Sequence, residues 1–246
     1  MTSARKRIAL LVRKPGLTQD AFIRYWREVH GPLVAATPDY GLYRLKYAQS
    51  HIVQSGPIGA PFQFEGLAAV WLPETAPIDF AQTPAYRDRI KPDEERFLDT
   101  NKTLGLSAAE QIVVSGNAAI KFIVLSRRDQ RLNRREFCEH MGSVYAEAIV
   151  KAPTFGKLLR GFRLNHIRGA AFMSGTKPSE NQTVDCIQEF WFDSREDLDH
   201  AFLSRDYRDI AATHENALIS PTSTTSVIAR ELVFFENGRP APLASD

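Results

Sequence analysis

Displaced by 115 positions, the front half of this chain falls on its own back half. The displacement pairs Lys6 with Lys121, Ile8 with Ile123, Leu10 with Leu125, Phe22 with Phe137, Gly41 with Gly156 and His51 with His166. Between residues 4 and 52, 12 of 49 aligned positions are identical without a gap, where about 3 are expected by chance. Register returns further on, pairing Trp71 with Trp191, Tyr86-Arg87-Asp88 with Tyr207-Arg208-Asp209, Glu94 with Glu215 and Glu110 with Glu231. A chain of 246 residues that repeats in this way must fold as two copies of one unit. The division falls at residues 1–115 and 118–236, with 237–246 as a C-terminal tail carrying Pro240 and Pro242. That tail reads as an extended arm able to lie over a neighbouring subunit, so a further homodimer is left open.

Composition excludes several classes of partner. With 43% hydrophobic and 24% charged residues the chain has the make-up of an ordinary globular protein. A net charge of +2 builds no basic stripe for nucleic acid. Arg5-Lys6-Arg7 leads into only the short apolar run Ile8–Val12, too short for a signal core or a membrane span. Cys138 and Cys186 lack metal-ligand spacing and have no counterparts in the first copy, so they read as buried free thiols in a reducing cytoplasm.

Within one copy the elements can be read in order. Residues 7–13 form a strand stopped by Pro15-Gly16. Thr18 caps a helix with the stripe Phe22, Trp26 and Val29, which Gly31-Pro32 should end. In the second copy Asn133 and Glu136 form a capping box before Phe137, Met141 and Val144. Strands follow over 43–53 and 66–72, then a proline-interrupted helix between Ile78 and Leu98, then a strand over 110–114. The order βαββαβ is the split, ferredoxin-like plan, an α+β fold with helices on one face of an antiparallel sheet. Its bare face needs cover, which a second copy supplies. The expectation is two tandem ferredoxin-like βαββαβ units packed sheet-to-sheet, an intramolecular version of a dimeric α+β barrel.

The first copy also resembles a known family. The run Arg13-Lys14-Pro15-Gly16-Leu17-Thr18, then Phe22, Tyr25-Trp26, His30-Gly31-Pro32-Leu33 and Tyr47-Ala48-Gln49-Ser50-His51, is similar to an EthD-type domain. The second copy departs from it, with Met141 in place of the tryptophan and Tyr145-Ala146-Glu147 in place of His-Gly-Pro. The resemblance implies membership of the dimeric α+β barrel superfamily. That superfamily includes cofactor-free lyases, isomerases, polyketide cyclases and monooxygenases, together with haem-dependent members.

Candidate site residues emerge from their placement. His30 ends the first helix, where the helix dipole favours imidazolium, one turn beyond Trp26. Strand alternation sets Tyr43, Leu45, Tyr47, Gln49 and His51 on one face, a polar and aromatic mixture suited to a pocket lining. His30, His51 and Tyr47 are the catalytic candidates; Tyr25, Trp26, Tyr43, Gln49 and Trp71 are the substrate-binding ones. An equivalent second-unit pocket would use His140, Tyr145, Phe162, His166 and Trp191. Tyr25 and His30 are exchanged for His140 and Tyr145 in the second copy, although five residues apart they should not share a helix face. Phosphate loops, metal-binding pairs and nucleophile elbows are absent from the sequence. The expectation is therefore no cofactor and no metal, with haem held by one axial histidine the only cofactor the superfamily brings.

Three functions remain. The first is a cofactor-independent acid/base enzyme, a lyase, dehydratase, cyclase or isomerase, acting on a small hydrophobic aromatic or polyketide-like ketone or phenol. The second is a non-catalytic carrier of a hydrophobic metabolite, or an accessory protein of an oxidase system. The third is a cofactor-free or haem monooxygenase.

Overall fold

In the first half, β1 (Arg5–Leu11) pairs antiparallel with both β3 (Gly66–Leu72) and β4 (Leu104–Val114), and β3 pairs with β2 (Lys46–Ser55). The second half repeats this with β5 (Ile120–Ser126) between β7 (Cys186–Phe192) and β8 (Thr225–Glu236), and with β6 (Gly161–Phe172) on β7. This computed structural model describes residues 5–37, 39–76 and 80–242. Helices spanning 19–35 and 86–97 cover the first half. Helices spanning 134–151 and 205–218, with Arg195–Leu203 and the short Phe155–Leu158, cover the second. Among the described residues no helix is long and apolar enough to cross a membrane.

The halves meet edge to edge rather than face to face. β4 pairs with β6 and β8 with β2, so the order β2-β3-β1-β4-β6-β7-β5-β8 closes into an eight-stranded antiparallel barrel. This corrects the expectation of two sheets packed sheet-to-sheet. Each four-stranded sheet would expose unpaired N–H and C=O groups along both edges, and closure pairs most of them, interrupted by bulges in both ladders. The inner faces still cover one another, now across the barrel axis. Ile8, Leu10, Leu67, Leu104 and Leu106 pack there against Ile123, Leu125, Ile167, Ile187 and Val227.

Towards one end the barrel interior becomes ionic. Lys6 Nζ lies 2.9 Å from Glu110 and 2.8 Å from Glu189, and Lys121 Nζ lies 2.7 Å from Glu189 and 2.5 Å from Glu231. Lys6–Glu110 and Lys121–Glu231 are the repeated pairs, one in each half. Glu189 ties them together, and its counterpart in the first half is Ala69. Trp71 and Trp191 belong to this network: Lys6 sits 4.4 Å above the Trp71 ring and Lys121 4.9 Å from that of Trp191.

The helices depart from simple periodicity. Thr18 and the Asn133–Glu136 capping box start the first helix of each half as expected. The first helix does not stop at Gly31-Pro32, however. It passes through one π turn, Trp26–His30, and continues over Gly31–Ala35. The Gly31 amide bonds the Trp26 carbonyl five residues back, and this widened spacing accommodates Pro32, which has no N–H to give. A side chain at Gly31 would run into the Phe234 ring of β8, so only glycine fits there. Further π turns occupy Tyr86–Ile90, just before Pro92, and Met141–Tyr145 and Ala211–Glu215.

Each π turn holds one residue more than an α turn and so re-aims the side chains beyond it. The inward face of the first helix is Phe22, Trp26, His30 and Val34, at four-residue spacing, while Val29 is 43% exposed. The third long helix buries Phe137, Met141, Tyr145 and Ile149 and leaves Val144 48% exposed. The expected stripe positions Val29 and Val144 are thus replaced by His30 and Tyr145.

Other boundaries also moved. β2 begins at Lys46, so Tyr43 lies outside it in a 3₁₀ turn, Asp39–Tyr43. β4 starts at Leu104 and pairs fully with β1. The second helix begins at Tyr86 after a 3₁₀ turn at Phe80–Gln82, and its expected start at Ile78 lies outside the described residues. Asn237 and Gly238 take positive φ, 55° and 78°, the conformation of a tight hairpin turn. That turn folds β9 (Arg239–Pro240) back onto β8, so the tail up to Pro240 lies on its own barrel. Its last residues, 243–246, lie outside the described residues.

Candidate active site

The outer face of the first-half sheet is paved with small residues where the second half carries large ones. Ala9, Ala68 and Val70 point towards the helices, and their counterparts by repeat register are Val124, Gln188 and Phe190. In the second half Phe122, Phe137, Phe155, Phe162, Phe190 and Phe202 fill the space between sheet and helices. In the first half a cavity of about 470 Å³ remains, within the range of small-molecule sites. Trp26, His30, Tyr47, Tyr86, Glu94 and Arg7 carry its chemistry.

His30 reaches the cavity because of the π turn. Its Nδ1 lies 2.8 Å from Asp93 Oδ2 on the second helix, and Tyr25 Oη donates to Asp93 Oδ1 at 2.6 Å. Burial alone would raise the Asp93 carboxyl, but hydrogen bonds from His30 and Tyr25 outweigh it and hold the group below the usual carboxylate range. A carboxylate there accepts the Nδ1 proton and leaves Nε2 as the nitrogen able to take a proton. Nε2 has no hydrogen-bond partner among the described residues.

Tyr47 forms the facing wall. Its hydroxyl oxygen accepts the Gln49 amide at 2.9 Å, and no acceptor among the described residues takes its hydrogen. Burial raises its pKa, so the group is a neutral donor. Gln49 also donates to the Trp26 carbonyl at 2.9 Å and accepts from His51 Nε2 at 2.8 Å. His51 stands behind the wall, its ring 4.3 Å from that of Trp26. Burial, assisted by the charges of Arg27 and Arg230, lowers its pKa to about 4, so it is neutral and donates to Gln49. Gly66 lets Trp26 lie flat on the sheet, since a side chain there would enter the indole ring.

The structure therefore brings His30, Tyr47 and Trp26 to one cavity, with Gln49, His51 and Tyr25 holding them from behind. Trp71 lies on the opposite face of its strand, where its indole donates to Glu110 at 2.8 Å inside the barrel. Tyr43 lies in its turn away from the wall. The second-half candidates are not gathered at one site among the described residues: Tyr145 and Phe162 belong to the aromatic core, and Trp191 lies in the barrel network. His140 faces His214 at 3.3 Å, and His166 faces Gln111 at 3.3 Å.

Sequence reading passed over Asp93 and Glu94, charged residues beside a proline that resemble a solvated helix end. The signal available was Tyr86 and Glu94 recurring together as Tyr207 and Glu215. Tyr86 Oη donates to Glu94 Oε2 at 2.6 Å. Burial, reinforced by the charges of Asp93 and Glu95, pushes the Glu94 carboxyl up to about 8. Among the described residues no group of three or more His, Cys, Asp or Glu side chains could hold a metal ion.

Closed barrel, helix-covered outer cavity and paired halves define a dimeric α+β barrel protein contained in a single chain. It belongs to the EthD domain family, whose model matches it twice, over residues 14–101 and 129–221. An anthrone oxidase-like protein shares the fold with a TM-score of 0.57 at 11% identity, over 98% of this chain and 97% of that one. A protein provisionally named a monooxygenase from Lactobacillus acidophilus NCFM does so with a TM-score of 0.55 at 7% identity, over 99% and 100%. A provisionally named monooxygenase from Fusobacterium nucleatum subsp. nucleatum is similar at 0.55 and 8%, over the full length of both chains. At these identities the likeness is one of fold. No curated protein sequence matches the chain.

Proposed function

We propose that the first-half cavity is the active site of a cofactor-independent acid/base enzyme acting on a small hydrophobic aromatic or polyketide-like ketone or phenol. The observation that carries this reading is the Asp93–His30 pair, which turns Nε2 towards an apolar cavity whose facing wall presents the Tyr47 hydroxyl. His30 Nε2 removes a proton from the carbon next to the carbonyl. Asp93 stabilises the imidazolium that forms, as an orienting carboxylate does in other histidine-based sites. Tyr47 donates its hydrogen to the oxygen on which enolate charge develops, and Gln49 holds the phenol in place. Trp26 and Phe97 supply flat apolar walls for an aromatic substrate.

In this reading each half is a ferredoxin-like copy, with residues 1–115 carrying the site and 118–236 completing the barrel. The second half supports it by filling the equivalent space with phenylalanines. The relatives' names favour one variant: an enolate or phenolate made by His30 is also the species that a cofactor-free oxygenase presents to dioxygen.

The test is deuterium exchange into 1-tetralone, an aryl ketone with acidic C2 protons, followed by NMR. Wild-type protein should exchange C2, and His30→Gln and Tyr47→Phe should lower the rate by about 100-fold or more while 1-tetralone still binds. Binding without exchange in the wild type would leave the cavity as a carrier's site.

A further inference from the structure

The second half shows what the carboxyl beneath the helices does where phenylalanines fill the space between sheet and helices. Glu215 Oε1 accepts from both Tyr145, at 2.9 Å, and Tyr207, at 3.1 Å. In the first half Tyr207 is matched by Tyr86, but Tyr145 is matched by His30, which turns instead to Asp93. Glu94 therefore keeps one tyrosine, on Oε2, while Oε1 takes no hydrogen bond from any described residue. Glu94 and Tyr86 both line the same cavity as His30 and Tyr47. The adjacent carboxyls Asp93 and Glu94 are thus drawn to different tasks, one held by His30 and Tyr25 and the other facing the cavity beside Tyr86.

We infer that Glu94 is the general acid of this site and that its substrates are aryl ketones bearing a hydroxyl β to the carbonyl, which leave as water and a conjugated enone. This rests on the enolisation reading above. With Tyr86 donating to Oε2, the acid's own proton belongs on Oε1. His30 Nε2 takes the α-proton, and the C–H electron pair becomes the new carbon–carbon double bond. The β-carbon–oxygen bond breaks, and the departing hydroxyl takes the Glu94 proton to leave as water. The imidazolium then returns its proton to the Glu94 carboxylate through a water in the cavity, so no other reactant is consumed. Two carboxyls whose surroundings push them in opposite directions, Asp93 below its ordinary range and Glu94 above it, are the usual setting for such a division of roles.

Two probes separate this inference from the reading beneath it. 1-Tetralone has no leaving group and reports proton abstraction alone. 3-Hydroxy-1-tetralone can lose water, and its product rearranges to fluorescent 1-naphthol. Wild-type protein should exchange the first and dehydrate the second. Glu94→Gln should lower dehydration by at least about 30-fold more than it lowers exchange, with Glu94→Asp recovering part of that difference. Tyr86→Phe, which disturbs the pocket less, should slow dehydration by about 10-fold more than it slows exchange. It carries the test if Glu94→Gln fails to fold by circular dichroism. Exchange without dehydration in the wild type, or equal dehydration in wild type and Glu94→Gln, overturns the role of Glu94. Absence of exchange in the wild type overturns the enolisation reading itself.

Discussion

Tyr25 and His30, five residues apart on one helix, bind the two oxygens of a single carboxylate, that of Asp93. A regular α-helix sets such positions on different faces; the π turn at Trp26–His30 brings them together. The second half swaps the residue types and splits the arrangement, sending His140 to His214 and Tyr145 to Glu215. The exchange between copies is therefore a rewiring of one polar cluster.

Asp93→Asn is the sharpest probe of that cluster. The amide keeps the shape but neither holds the Nδ1–H tautomer nor stabilises imidazolium. Exchange of 1-tetralone should fall by about 100-fold or more in kcat with little change in KM. Tyr25→Phe leaves the His30–Asp93 bond intact, so it should cost about 1 kcal/mol of stability and only a few-fold in rate. Equal kinetic losses in the two variants would mean that Asp93 serves packing rather than proton transfer.

The repeat, the helix caps and the limits of β3 were legible because each is a local pattern: identity at fixed displacement, Thr18 and Asn133 at helix starts, and a continuous apolar run beginning at Gly66. The inward place of His30 was legible only in part, because it lies one turn beyond Trp26 but a 3.6-residue period admits Val29 equally, and nothing in a periodicity announces a π turn. Asp93 and Glu94 were missed for the same reason. They follow the Tyr86–Ile90 π turn and Pro92, and their roles depend on partners brought by another helix or set two turns earlier. Edge-to-edge closure was also hidden, since β4 and β6 reveal no preference for each other until both free edges are counted.

The size of the cavity depends on a few small side chains, so one substitution should remove it. Val70→Phe copies Phe190 of the filled half and sets a ring among Ala68, Trp26 and Ile90. Binding of 1-tetralone should weaken by about 10-fold or more, while the thermal midpoint holds or rises, because the ring occupies existing space. A large drop in the midpoint with unchanged binding would mean that ligands bind elsewhere.

Glu189 should matter for stability more than any surface ion pair. It lies between Lys6 and Lys121 inside the barrel, and Glu189→Ala would leave both ammonium groups short of a partner. A loss of about 3–5 kcal/mol in urea unfolding is expected. Burial would raise the Glu189 carboxyl, but the two lysines outweigh it and hold it well below its ordinary range. Its contribution is then present above the ordinary carboxylate pKa and is lost as pH falls, so the gap between wild type and variant should narrow on acidification.

Glu94 should give the opposite pH dependence. Its carboxyl is pushed up to about 8 from an ordinary 4.5, chiefly by burial, so the native state holds this proton more tightly than the unfolded chain does. That stabilisation is complete below about 4.5 and is lost as pH rises through about 8. Asp93, Glu95, Lys91, Tyr86, His30 and Arg7 are the charged or titratable groups around it, and all are retained in Glu94→Gln. Glu215 is raised by burial in both proteins and cancels in their difference. Urea unfolding at about pH 5, 7 and 9 should therefore show wild type losing roughly 4 kcal/mol relative to the glutamine variant across the series, more than half of it by pH 7. A difference that stays constant with pH would mean that Glu94 is already ionised in the folded protein at neutrality, and a carboxylate there could not protonate a leaving hydroxyl.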